Sequence, residues 1–113
     1  MGEPMLDKRW LLAGFTCAFM IGTAQAVTTL GSRPCGRWVE ERAADGWEAA
    51  GDGYWIVGFL SGLAVESGVD VLPGANSASL ELWMDNYCRA NPLANTGDGG
   101  IILFDELKAR MKK

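Results

Sequence analysis

The sequence predicts an all-α fold, a small four-helix domain with one disulfide linking helices one and three, after a cleaved signal peptide. Three observations predict it. Apolar residues recur at helical spacing in four segments, each bounded by Gly, Pro, Asn or Asp. No segment pairs with another as alternating strands would. Two cysteines fall in the first and third of the four segments. At 113 residues, 49% hydrophobic and 21% charged, the chain has the composition of one folded domain.

The first 26 residues are read apart. Lys8 and Arg9 precede an apolar run from Trp10 to Ile21, and Ala24-Gln25-Ala26 follows. A basic flank, a short apolar stretch and a small-residue site are the parts of a secretory signal peptide. The run is too short for a membrane span, which needs roughly 20 residues. The expectation is therefore export to the periplasm, cleavage after Ala26, and a single helical domain over 27–113. Cleavage removes Glu3, Asp7, Lys8 and Arg9, leaving 12 acidic and 8 basic side chains and a net charge of −4. That balance argues against nucleic acid, which needs a basic patch, and against anionic membrane surfaces. Cys17 leaves with the signal. It lacks the small-residue setting of a lipid-modified cysteine. Cys35 and Cys88 remain, and an exported domain of this size is expected to pair them.

Val27 to Pro34 reads as an extended leader. Ser32 and Pro34 suit a helix start, and the first helix runs from Cys35 to about Ala44. Cys35, Trp38, Val39 and Arg42 share one face. Asp45-Gly46 breaks it, and the glycines and aspartates up to Gly53 favour turn. The second helix, Tyr54 to Ser67, is apolar all round and reads as mostly buried; a strand over Trp55–Leu60 is the competing assignment. Gly58 and Gly62 sit four apart in it, and glycine is costly inside a helix. Close approach of another helix or ring is the expected reason. Pro73-Gly74 marks a turn. Helix three starts at Ser77 as cap. Leu80, Trp83, Met84, Tyr87 and Cys88 make the clearest amphipathic stripe in the chain. Glu81, Asp85 and Arg89 are placed on the opposite, wet face, with Asp85 and Arg89 as an i,i+4 pair. Asn91-Pro92 stops that helix. Asp98 is the expected cap of helix four, Gly99 to about Arg110, with Ile101, Phe104, Leu107 and Met111 buried.

The chemistry this excludes is considerable. There is no histidine, so the usual Ser-His and Cys-His nucleophile pairs are absent. Two paired cysteines make no zinc site, and no phosphate or dinucleotide motif occurs. Ser61 lies in the wrong spacing for a nucleophile elbow. Glu81 and Asp85 could be read as an acid–base pair, and Asp98-Gly99-Gly100 as an anion seat. A solvated face and a helix cap explain them more simply. The expectation is no enzyme, no metal and no cofactor. Trp38, Trp47, Trp55 and Trp83 could line a ligand groove, but at least two of them are expected in the core.

Taken in order, Cys35, then Trp55-Ile56-Val57-Gly58-Phe59-Leu60-Ser61-Gly62, then Asn86-Tyr87-Cys88-Arg89-Ala90-Asn91-Pro92 and a terminal helix resemble the HdeA/HdeB group of small periplasmic proteins. A second resemblance is to Tai-type immunity proteins of type VI secretion systems, which typically carry further cysteines. The first resemblance implies a homodimer, folded and inactive near neutral pH, that comes apart in strong acid and holds unfolding proteins. Protonating the mature carboxylates would carry the net charge from −4 to about +8. Without histidine, such a switch is expected well below pH 6. The partners expected are therefore other proteins, either unfolded clients of a stress-responsive holdase or one specific enzyme capped by an inhibitor. Trp55, Phe59 and Leu63 are the expected binding surface.

Overall fold

A computed structural model describes residues 27–112. The expected signal peptide, 1–26, lies outside the described residues. Among the described residues four helices follow one another: α1, Cys35–Ala44; α2, Trp47–Ser67; α3, Ser77–Ala90; and α4, Thr96–Met111. Among the described residues there is no strand; an isolated bridge joins Pro34 to Asn95. The α2 and α3 helices pack on each other and on both remaining helices, whereas α1 and α4 flank them. The Cys35–Cys88 disulfide ties α1 to α3, the two elements in which the sequence placed the cysteines. A disulfide fits an oxidising compartment. No described helix is long and apolar enough to cross a membrane.

Ten apolar or sulfur-bearing side chains form the core: Cys35, Trp38, Ile56, Leu60, Val71, Leu80, Met84, Cys88, Leu103 and Phe104. Every helix contributes, and Val71 from the α2–α3 loop closes one side. The α3 stripe read from the sequence is the heart of it. The strand assignment for Trp55–Leu60 is not observed; the segment lies inside α2.

Helix boundaries show where local signals were overruled. Asp45 ends α1 in the left-handed region, φ 53°, with its N–H on the Glu41 carbonyl. The turn expected from Trp47 to Gly53 is instead the first two turns of α2. Ala49, Asp52 and Gly53 are buried there, so tertiary contact outweighs the poor helix propensity of the glycines. The α3 cap is Asn76, one residue earlier than expected. Its side chain accepts from Ser79 N–H while Ser79 Oγ accepts from Asn76 N–H. Similarly, Asn95 caps α4 by accepting from Asp98 N–H, and Asp98 sits inside the first turn. In α4 the buried apolar side chains are Leu103 and Phe104, while Ile101 and Met111 face outward.

Close helix approach does occur, but at other glycines. A methyl group on Gly58 or Gly62 would meet nothing within 4 Å, so none of the described elements approaches that side of α2. On Gly100 it would come within 2.7 Å of the Phe59 ring and 3.3 Å of Ile56. On Gly99 it would come within 2.8 Å of Tyr87 and Met84. The N-terminal turns of α4 therefore lie directly on α2 and α3.

The leader is docked. Cys35 N–H donates to Ala94 O, Thr96 N–H to Arg33 O, and Arg33 N–H to the fully buried Thr96 hydroxyl. The Trp55 indole donates to Leu30 O at 2.7 Å. These bonds fix the chain before α1 against α2 and the start of α4, the position from which Arg33 reaches inward.

Candidate protein-binding surface

Two buried polar joints hold α1 in place. In the first, Asp85 of α3 accepts from the Trp38 indole at 2.7 Å and from Arg42 through both carboxylate oxygens, at 2.9 and 3.1 Å. Arg42 also reaches Glu81 at 2.9 Å. Asp85 is thus buried against α1 and does not lie on a wet face; its partner is Arg42, since the geometry brings α1 over that side of α3. No ion pair to Arg89 forms among the described residues. Glu81 and Asp85 are likewise consumed by structural partners, which leaves neither free for acid–base chemistry.

The second joint gathers Glu41 of α1, Asp52 of α2 and two arginines. Arg33 Nε lies 3.1 Å from Asp52 and 3.5 Å from Glu41, and Arg37 Nε lies 2.7 Å from Glu41. Glu41 Oε2 and Asp52 Oδ2 are both buried without a hydrogen-bond partner among the described residues, and a protonated Asp52 carboxyl would supply a donor to Glu41. Burial and the neighbouring Glu41 carboxylate push the Asp52 carboxyl up to about 6, against the pull of Arg33. The bond to Asp52 and the Arg37 guanidinium hold Glu41 below the usual carboxylate range. One group thus titrates near pH 6 in a chain without histidine, a point the sequence expectation missed. Charge alternation along one helix cannot reveal it, because the pair is assembled from two helices.

The three expected binding residues line the inner and lateral sides of α2. Trp55 and Phe59 stack at 4.9 Å between centroids. Phe59 covers Gly100, Trp55 is bonded to the leader, and Leu63 packs against the core. All three are half-buried, so the closed domain covers much of their surface.

The opposite face of α2 is open. Trp47, Tyr54 and Val65 are 79%, 80% and 85% exposed. At separations of 7 and 11 residues they align along one side of the helix, over about 27 Å. Exposed Gly51, Gly58 and Gly62 lie between them. Asp52 is buried, so no charge of α2 reaches the surface between Glu48 and Glu66. The face was legible in principle as a second apolar period within a helix read as apolar all round. The misplaced start at Tyr54 removed Trp47 from it.

A separate cleft of about 470 Å³ lies between the α2–α3 loop, α3 and the C-terminal half of α4. Leu80, Trp83, Leu103, Leu107 and Met111 give it an apolar lining. Glu106 stands at its edge, accepting from the Trp83 indole at 2.6 Å and from Arg110 at 2.8 Å. Those two bonds hold Glu106 below the usual carboxylate range, Arg110 contributing most. The size is that of a small-ligand pocket, but its polar groups are already paired with one another. Among the described residues no group of His, Cys, Asp and Glu is arranged to hold a metal ion.

Comparison with protein-family models, with curated proteins and with solved structures returns no match.

Proposed function

We propose that this is a non-catalytic protein-binding domain of the periplasm that engages a partner polypeptide through the outward face of α2. The single observation behind it is the exposed, uncharged line of Trp47, Tyr54 and Val65 along α2. Trp and Tyr dominate binding energy where they occur at interfaces. A contiguous apolar face is uncommon on a domain that works alone. The disulfide and the leader's hydrogen bonds to Trp55 and Thr96 brace the domain behind this face, which lowers the ordering entropy that opposes binding. This is the behaviour expected of an inhibitor or immunity protein toward one folded partner.

A photo-crosslinking amino acid in place of Tyr54 tests it in the periplasm, with the same residue in place of the fully exposed Leu93 as control. The expected result is one adduct of discrete mass from position 54 at neutral pH and none from position 93. No adduct, or the same ladder from both positions, would sink the proposal.

An acid-responsive holdase is the second reading, and a different observation favours it. Trp55, Phe59 and Leu63 are half-buried behind a helix and leader held by carboxylate–arginine pairs. Protonation abolishes such pairs, and opening would release a continuous apolar strip. Light scattering of an acid-labile protein at pH 2–3, against the same mixture at pH 7, separates the two. Suppression confined to acid, and unchanged in Trp47→Ala/Tyr54→Ala, would favour the holdase.

A further inference from the structure

We propose that Glu41 and Asp52 form a proton-sharing clip between α1 and α2 that tightens, rather than loosens, the domain in mild acid. Both carboxylates gather on the one Arg33 guanidinium, Glu41 at 3.5 Å and Asp52 at 3.1 Å, with Asp52 only 3% exposed and Glu41 8% exposed. Glu41 Oε2 and Asp52 Oδ2 are buried without a donor when both groups are ionised. A single proton between them satisfies both atoms. The alternative at high pH is two desolvated negative charges side by side, a costly arrangement.

The surrounding charges define what the clip feels. The leader contributes Arg33, and α1 contributes Arg37, which is itself near Glu40 and Glu48. Next along α2 is Gly53, against which Glu81 of α3 lies, and Glu81 is paired with Arg42. Asp85 of α3 is engaged by Arg42 and Trp38. No charged side chain of α4 forms an ion pair with the clip among the described residues. Two arginines thus serve two carboxylates, but Asp52 has only Arg33, which is shared. A proton is the missing partner.

The sign follows from linkage. Asp52 has its folded value raised from 3.8 to about 6. The folded state therefore holds a proton that the unfolded chain releases between about pH 4 and 6, and stability falls as pH rises through that window. Glu41, held low, acts in the opposite sense: its contribution is present above its unfolded value and is lost as pH falls through its folded value. The net expectation is a stability maximum at the lower edge of that window, between about pH 4 and 5. From pH 8 to pH 5 the folding equilibrium should strengthen on the order of tenfold, equivalent to roughly 5–10 °C in Tm.

Thermal unfolding of the oxidised protein from pH 4.5 to 8 tests this, with Asp52→Asn and the exposed control Asp70→Asn. The amide is neutral at every pH and can donate to Glu41. Asp52→Asn should flatten the slope between pH 5 and 8, and Asp70→Asn should leave it intact. A wild-type Tm that is level or rises from pH 5 to 8 would overturn the clip, as would a slope that survives in Asp52→Asn. If Asp52→Asn does not fold, carboxyl-carbon NMR of the wild-type protein decides. A midpoint for Asp52 near 6 supports the clip, and one near 4 refutes it.

Discussion

Truncating Asp85 probes the joint on which the seating of α1 depends. In Asp85→Ala, the indole N–H of the fully buried Trp38 loses its acceptor at 2.7 Å. Arg42 loses two hydrogen bonds and keeps Glu81 alone. An orphaned buried donor costs about 1–3 kcal/mol, and removing one partner of a buried ion pair costs about 3–5 kcal/mol. The Arg42 side chain is 28% exposed and can turn toward water, which favours the lower part of that range. The expected loss is therefore about 3 kcal/mol, a large share of the roughly 4–13 kcal/mol that a domain of this length possesses. Asp85→Asn keeps one oxygen as acceptor for Trp38 and Arg42 Nε but removes the charge and sets an amide donor against the other Arg42 nitrogen, so a loss smaller than that of Asp85→Ala is expected. Urea unfolding followed by far-UV circular dichroism, at unchanged m, measures both. A double-mutant cycle with Arg42→Ala should show a coupling above about 1 kcal/mol. A loss below 1 kcal/mol in Asp85→Ala, or strict additivity in the cycle, would show that water replaces the carboxylate and that the joint is incidental.

Two further perturbations test the scaffold. The Cys35–Cys88 bridge spans a sequence separation of 53, which in the chain-entropy model contributes about 4 kcal/mol; Cys35→Ala/Cys88→Ala should lower the urea midpoint accordingly, and a change under 1 kcal/mol would contradict it. Gly100→Ala should cost about 1–3 kcal/mol because its methyl group strikes the Phe59 ring, which is held by stacking on Trp55. Gly58→Ala, with open space around it, should instead stabilise by about 0.5–1 kcal/mol. Equal effects at the two glycines would mean that α4 does not sit on α2 as described.

Much of the architecture was legible because it is written in local periodicity. The Leu80–Cys88 stripe, the Asp45-Gly46 break and the Pro73-Gly74 turn each depend on neighbours in sequence, and each matches the observed elements. What escaped was assembled between helices. Asp85 has the spacing of a solvent-facing residue until α1 arrives over it with Trp38 and Arg42. Asp52 is a helix-breaking signal in isolation and a buried clip member in the fold. The glycines illustrate the same limit. A pair at i and i+4 in an apolar helix, Gly58 and Gly62, suggested close packing, yet α2 turns them outward. The real contacts fall on Gly99 and Gly100, which local signals assign to a helix start.

The two sides of α2 connect these observations to function. Its outward side, Trp47, Tyr54 and Val65, is available without any change in the domain. Its inner side, Trp55, Phe59 and Leu63, becomes available only when α1, the leader or α4 moves. Acid can move them once Glu41 and Glu106, both held below the usual carboxylate range, take up protons; the stability they contribute is present above their unfolded values and is lost as pH falls through their folded ones. The Glu41–Asp52 clip acts in the other direction over the preceding interval. On this proposal the domain is firmest between about pH 4 and 5 and opens only in stronger acid. Any binding observed between pH 5 and 7 must then use the outward face, and it should vanish in Trp47→Ala/Tyr54→Ala while the Tm of that variant stays within a few degrees of wild type, since both side chains are about four-fifths exposed.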